Sequence, residues 1–367
     1  MKVDFNRAVL QDALGLVTSI VPSRTPKPIL RCLQMTAEAD VVKLAATDLE
    51  VGIVYKVTQV DIKQQGRVVL PADRISAIIR ESTDEVISVE ASEATCHIRG
   101  ADSHFTIFGH DSGQYPAVPD FDGKADIEVD LSGLQRGIEQ CLFAVARESS
   151  RYAINGVLWI VEGKKLLLVG TDGRRLARSR IGLLVSPGKE IPANVIVPAK
   201  TVSLLDRLGG GEKEKVAVSF TGNQILFRCG NVMISSNLVE GNFPKYEDII
   251  PTGYDKKLTL PTEQVLSAVR RAALLTNEDS KGIKIAIDDG ALVITSRAPE
   301  TGDAEIDMVI EYKGDPIEIG FNPQFLVDAL RVVRSDTFDL ELGQSDRPGV
   351  LKSGNDFLYV VMPINLG

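Results

Sequence analysis

Three tandem copies of one α+β module account for this 367-residue chain, and three recurrences lead to that reading. A Thr closing an apolar, strand-like run appears as Thr47 in "AATDLEVG", Thr171 in "VGTDGRRL" and Thr295 in "VITSRAPE". The intervals 171 − 47 and 295 − 171 are both 124 residues, the mark of an internal repeat. A strand running into a helix recurs as "VVLPADRISAIIRE", "VIVPAKTVSLLDRL" and "EIGFNPQFLVDALRV", which aligns Pro71, Pro198 and Asn322. An earlier helix opens each copy: "NRAVLQDALGLVTSI", "LSGLQRGIEQCLFAV" and "PTEQVLSAVRRAALL".

Taken in order, each copy reads as strand, helix, strands, then strand, helix, strands. The six helices are expected over 5–20, 71–81, 131–148, 198–208, 261–275 and 322–334, because apolar residues fall at helical spacing, as in Val265, Val269, Ala272 and Ala273. Runs such as "DEVISVEAS", "EKVAVSFTG" and "DTFDLELGQ" alternate with period two and end in turn residues, so they read as strands. Pro, Gly and Asp cluster near 119–126 and 250–257, which sets the expected modules at 1–125, 126–253 and 254–367. Each is a two-layer module with two helices on one face of its sheets.

Composition narrows the class. Apolar residues are 44% and charged residues 25%, as in ordinary globular proteins, while aromatics at 5% leave the cores to aliphatic packing. No apolar run has the length of a membrane span, and "MKVDFNRAVLQ" lacks a signal peptide's apolar centre. Cys32, Cys96, Cys141 and Cys229 lie far apart, as buried thiols of a cytoplasmic protein do. Cys96, His97, His104 and His110 match no zinc spacing, and "GGGEKEK" lacks the end of a phosphate loop, so neither a metal nor another cofactor is expected.

The net charge of −9 argues against nucleic acid until it is divided. The six helical stretches sum to +3, which leaves −12 for everything else. Helices spaced roughly 10 Å apart around a ring of six enclose a hole of only about 9 Å, whereas twelve enclose about 28 Å. A duplex roughly 20 Å wide therefore requires two chains. Arg74, Arg80, Arg136, Lys200, Arg207, Arg270, Arg271, Arg331 and Arg334 are the candidate inner cations, suited to phosphate contact without base readout. Composition alone leaves open that these are ordinary solvated helix faces.

"SRTPKPIL", "TDLEV", "RYAINGVL", "TDGRRLA", "VIVPAK", "LVEGNFPKYEDIIP", "IEIGFN" and "YVVMP" together resemble the bacterial DNA polymerase III beta subunit family, the sliding clamps, from the first strand to the last residues. The resemblance implies a head-to-tail homodimeric ring that slides on duplex DNA, is opened by a clamp loader ATPase and tethers the replicative polymerase without chemistry of its own. It implies a dimer contact of Phe105 and Ile107 with Leu274 and Leu275. Without the resemblance, these four read equally well as core within a module.

The resemblance also implies a groove for the linear motifs of partner proteins, built from Ile154, Thr171, Gly173, Arg174, Arg175, Leu176, Pro244, Asp248, Asn322, Phe325, Val360, Val361, Met362 and Pro363. DNA contact falls on Arg24, Tyr152 and Lys200, with Arg74 and Arg151 offsetting departures at Asp73 and Ala153. Arg174, Asp248 and Ser280 also depart from the family pattern, so the preferred peptide differs, with more basic flanks tolerated near Asp248. Two rivals remain. One is an enzyme acting on nucleotides through "VGTDGRR", for which no convergent acid, base or nucleophile is visible. The other is a diverged clamp serving repair or drug resistance.

Overall fold

Helical periodicity becomes six amphipathic helices in the computed structural model, which describes residues 1–121, 123–147, 152–188, 190–192, 194–211, 213–276, 282–299 and 301–365. They are α1 (Arg7–Val17), α2 (Ala72–Glu81), α3 (Leu131–Leu142), α4 (Ala199–Asp206), α5 (Thr262–Ala272) and α6 (Pro323–Arg331). In α1 the buried Leu10, Ala13, Leu14 and Val17 form one stripe, and Asn6 caps the start by accepting from the Val9 amide. Asn322 does the same for α6, its side chain accepting from the Gln324 amide ahead of a stripe of Leu326, Val327, Ala329 and Leu330. The helix expected over 131–148 ends at Leu142, where the chain turns through bonds from Ala144 to Cys141 and from Val145 to Leu142.

By its internal contacts the chain divides into two compact units. One comprises Met1–Ser132, Leu183–Ile191 and Leu204–Leu238; the other comprises Gly133–Gly182, Pro192–Ser203 and Val239–Gly367. The middle repeat is thus shared between them. The cause is strand pairing across the repeat boundaries.

In the first unit Val51–Val57 pairs antiparallel with Val232–Asn237, setting Ile53 opposite Ile234. The sheet then runs on through Val42–Thr47, Cys32–Ala37 and Gly66–Pro71 on one side and Gln224–Cys229, Lys215–Thr221 and Ile127–Asp130 on the other. A separate five-stranded sheet has the order Val60–Gln64, Lys2–Asn6, Val86–Ser92, Thr95–Arg99, His104–Phe108. In the second unit Arg175–Val185 pairs with Phe357–Val361, with Leu176 opposite Val360. Its four-stranded sheet has the order Gly302–Val309, Ala291–Ala298, Ile283–Asp288, Ile317–Phe321.

The Pro- and Gly-rich stretches are not loose tethers. Tyr115 donates its hydroxyl to the Cys32 carbonyl at 2.9 Å, and Phe121 is buried beneath the Arg228 guanidinium at 4.7 Å. Tyr246 is buried in the same manner in the second unit.

Because packing crosses the repeat boundary, Ile234→Ala in the middle repeat should loosen the first repeat by about 3 kcal/mol, the usual cost of a buried Ile truncation. Hydrogen exchange should show lost protection at Ala45 and Val54, with Leu168 and Val360 unchanged.

Candidate functional site

The "TDGRR" segment is first of all a turn. The Thr171 hydroxyl donates to the Arg175 carbonyl at 2.7 Å and accepts from the Gly173 amide at 3.1 Å. Asp172 Oδ1 accepts from the amides of Arg174 and Arg175 at 3.0 and 3.1 Å, and Gly173 has φ of +84°. The first repeat builds the same turn. Thr47 donates to the Val51 carbonyl at 2.9 Å, Asp48 Oδ1 accepts from Glu50 and Val51, and Leu49 takes φ of 80° where glycine would be easier. In the third repeat Thr295 lies inside strand Ala291–Ala298, not at its end. Ser296 follows it instead of Asp, so the side chain that closes the other two turns is missing and the strand runs on.

Beyond the turn, alternation sends neighbouring side chains to opposite faces. Arg175 faces the helices. Its guanidinium donates to Asp328 at 2.8 Å, to Asp172 at 3.0 Å and to the Phe143 carbonyl at 2.7 Å, and it lies over the rings of Phe325 and Phe143 at 4.4 and 5.4 Å. Burial pulls its pKa down, but the Asp328 hydrogen bond and the Asp172 charge more than reverse this, and the net direction is upward. Tyr359 lies on the same face and donates to the Phe325 carbonyl at 2.9 Å. Burial pushes its phenol well above the ordinary value.

Leu176 faces the other way. It joins Ala153, Leu158, Val169, Ile196, Tyr246, Val350, Leu358 and Val360 in one buried cluster, with Val239, Phe243 and Ile250 packed against it. On this face Arg178 is half-buried and its Nε has no partner. Burial first, and Arg180 second, lower its pKa.

The residues expected to form one groove are therefore split between two faces. Leu176 and Val360 form an apolar floor, each 1% exposed. Thr171 shares that face through its register with Leu176, and Arg174 and Gly173 stand exposed at the turn. Pro244, Asp248 and Pro363 are at least partly exposed, Met362 is 38% exposed with its amide bonded to the Arg174 carbonyl, and Ile154 is buried. Arg175, Phe325 and Val361 belong to the helix face behind the floor, and Asn322 caps α6. Sequence reasoning missed Ile249, an exposed apolar residue beside Ile250 in the same strap; its only signal was the run "EDIIP". An open, mostly polar cleft of about 470 Å³ lies alongside the tail, lined by Lys284, Glu318, Ser345, Asp346, Pro363 and Ile364.

The equivalent junction in the first unit has no such floor. Gly52 and Ser235 occupy the places of Leu176 and Val360. A Cβ on Gly52 would come within 2.6 Å of Val118 and 2.7 Å of Ser235 Oγ. Small residues there let Val118 fill the site from the chain's own strap.

Family models for the DNA polymerase III beta subunit match end to end: the N-terminal domain over 1–119, the central domain over 128–245 and the C-terminal domain over 247–365. Beta sliding clamps of Pseudomonas aeruginosa and Chlamydia muridarum are 32% and 30% identical, over all of this chain and 100% and 99% of theirs. The chain belongs to the beta sliding clamp family. Among solved structures, the P. aeruginosa DnaN sliding clamp bound to griselimycin superposes with a TM-score of 0.94 at 31% identity, and the Bacillus subtilis DNA polymerase sliding clamp with 0.95 at 27%, each over the full length of both chains.

In this clamp the candidate inner cations Arg74, Arg80, Arg136, Lys200, Arg207, Arg270, Arg271, Arg331 and Arg334 are all exposed, on helices or just beyond their ends. Arg24 is exposed in its loop, and Tyr152 is exposed; Arg151 and Ser280 lie outside the described residues. Arg74 and Arg80 each have a carboxylate neighbour: Asp73 sits 3.8 Å from Arg74 Nε and also accepts from its amide, and Arg80 Nε donates to Glu81 at 3.1 Å. Arg334 pairs with Glu139 at 2.7 Å.

Two outer strands carry apolar side chains into solvent. His104–Phe108 edges the five-stranded sheet, with Phe105 exposed, Ile107 partly so and Phe108 75% exposed. Gly302–Val309 edges the four-stranded sheet, ending in Val309 at 95% exposure. Leu274, after α5, is 79% exposed, and Leu275 is partly covered. Phe108 and Val309 were not anticipated, because alternation by itself does not say which strand of a sheet is outermost.

Among the described residues no group of three or more His, Cys, Asp or Glu is arranged to hold a metal, and no helix is long and apolar enough to cross a membrane. All four cysteines are buried; burial raises Cys32 and Cys229 to about 11 and Cys96 to about 12.

Arg175→Met should cost about 3 kcal/mol, because it removes the cation that Asp328 and Asp172 share in a mostly buried site. Thermal unfolding should show the loss, and Asp328→Leu in the same chain should recover most of it.

Proposed function

We propose that this protein is a ring-shaped processivity clamp: two copies close head to tail around duplex DNA and tether the replicative polymerase and other partners. The observation that carries the reading is a pair of sheet edges that also expose apolar side chains. Strands His104–Phe108 and Gly302–Val309 each leave a row of backbone groups open and each expose apolar side chains. Such edges invite another strand. Joining the first edge of one copy to the last edge of the other satisfies both and sets Phe105 and Ile107 against Leu274 and Leu275. Repeating the join closes a two-fold ring of six modules.

Within the ring the exposed cations of the helices, with Arg24, Tyr152 and Lys200, would meet phosphates without reading sequence. Asp73 blunts Arg74, so contact through the first module is the weaker part. Partner motifs would dock on the outer face at Leu176 and Val360, between Arg174, Pro244, Asp248, Met362 and Pro363. Because that floor is covered, an incoming apolar anchor must displace a neighbour. Met362, unbranched, soft and already exposed, is suited to move. Arg175, Phe325, Val361 and Asn322 hold the floor from behind. Asp248 favours a motif with a basic flank. The role is tethering rather than catalysis, and a loader ATPase would open the ring at the edge-to-edge contact.

The deciding experiment loads the protein onto nicked circular DNA with its loader and ATP, washes in high salt, then cuts the circle once. Retention that survives salt and ends on cutting is topological, since electrostatic binding fails in salt and ignores ends. Loss in salt alone, or indifference to cutting, would sink the reading. Leu274→Asp with Leu275→Asp should give folded monomers that fail this test. Removing residues 362–367 should reduce affinity for a polymerase-derived motif peptide at least tenfold, by fluorescence anisotropy, while the dimer persists.

A further inference from the structure

His97 and His104 fit no metal pattern in sequence, yet they come together at an edge of the molecule. Nε2 of His104 lies 3.3 Å from Nδ1 of His97, which is also 3.1 Å from Thr106 Oγ1. The ring centroids are 5.3 Å apart. Nδ1 has one lone pair, so neutral His97 accepts there from the Thr106 hydroxyl or from His104 Nε2–H. A proton on Nδ1 removes that acceptor, and two protonated rings repel.

The surrounding charges are few. Glu90 stands opposite His97 on strand Val86–Ser92 but is engaged by Arg99 at 2.9 Å and Lys2 at 3.3 Å. Arg99 stands opposite His104. The turn joining the two strands carries Asp102, and Asp84 accepts from its Ala101 amide. The single chain thus offers this histidine pair cations as readily as anions.

The edge strand of the four-stranded sheet is acidic. Along Gly302–Val309 the exposed positions Asp303, Glu305 and Asp307 alternate with Ala304, the buried Ile306 and Met308. Arg297 stands opposite Asp303, Thr295 opposite Glu305 and Val293 opposite Asp307. Lys284, next across the sheet from Thr295, is 3.2 Å from Glu318.

The faces also correspond. Phe105 and Ile107 share a side with buried Ile98 and Cys96, so His97, His104 and Thr106 share the outer side. Ile306 faces its own core, so the three carboxylates lie outward. When two sheets join edge to edge, core side continues core side and outer side continues outer side.

We infer that the head-to-tail contact is proton-sensitive: the His97–His104 pair of one copy lies against the Asp303, Glu305 and Asp307 row of the other, and acidification tightens the dimer. This rests on the edge-to-edge ring proposed above. Imidazoles as a class take up protons at a higher pH than carboxylates do, so mild acidification adds positive charge opposite a carboxylate row. The row favours the protonated pair, so the dimer takes up protons that the monomer does not. The added stability is full below the histidine range and is lost as pH rises through it.

Sedimentation equilibrium of the full chain in EDTA at constant ionic strength, at pH 5.8 and pH 8.0, tests this. Each interface should tighten about fivefold at the lower pH, and because a closed ring contains the contact twice, the dimer constant should rise about 25-fold. The net charge of −9 also shrinks on acidification, so the diagnostic comparison is with His97→Gln/His104→Gln and with Asp303→Asn/Glu305→Gln/Asp307→Asn, each expected to flatten the response. Variants that respond as strongly as the wild type, or a dimer that tightens as pH rises, would overturn the inference while leaving the ring intact. A protein monomeric at both pH values would overturn the edge-to-edge reading itself.

Discussion

Backbone groups of a β-strand must find partners, and that obligation organises this molecule at every scale. Inside each unit it joins successive repeats: Val51–Val57 takes Val232–Asn237 as its neighbour, and Arg175–Val185 takes Phe357–Val361. These pairings make the middle repeat common property of two packing units. The same obligation goes unmet at His104–Phe108 and Gly302–Val309. A repeat array with paired internal junctions and open outer edges suits the edge-to-edge ring proposed above.

Charge is arranged on the same plan. The body carries the negative excess, which opposes adventitious contact with nucleic acid, while the helices bury apolar stripes and present arginines and lysines to solvent. Exposed cations of this kind bind phosphate weakly and without sequence preference. Weakness suits a protein that must stay on DNA by enclosure and still move along it. The largely buried Arg175 is fully engaged: it has two carboxylates, a carbonyl and two aromatic faces, and it ties the Thr-Asp-Gly turn to α6.

The two internal junctions show how one architecture yields two different surfaces. Both have a Thr-Asp turn, a strand pairing and a Pro-rich strap laid on the sheet. At the first, Gly52 and Ser235 leave room that Val118 takes. At the second, Leu176 and Val360 supply an apolar floor bordered by exposed Met362 and Ile249. Side-chain volume at two positions separates a closed seam from a site.

The sequence by itself determined what depends on neighbours along the chain. The six helices were legible because a buried stripe repeats every three to four residues. The Thr-Asp turns were legible because each side chain bonds to backbone within four residues of itself. Even here, local reading overran α3 and placed Thr295 at a strand end, since nothing local announced that Asp was the missing partner. Only the tertiary structure decided which face of strand Arg175–Val185 each groove residue occupies, that Val118 closes the first junction, which strands are outermost, and that His97 meets His104. Those outcomes depend on contacts between residues far apart in the chain, such as Val51 with Ser236 and Arg175 with Val361. The pattern along a single strand carries no information about what lies beside it.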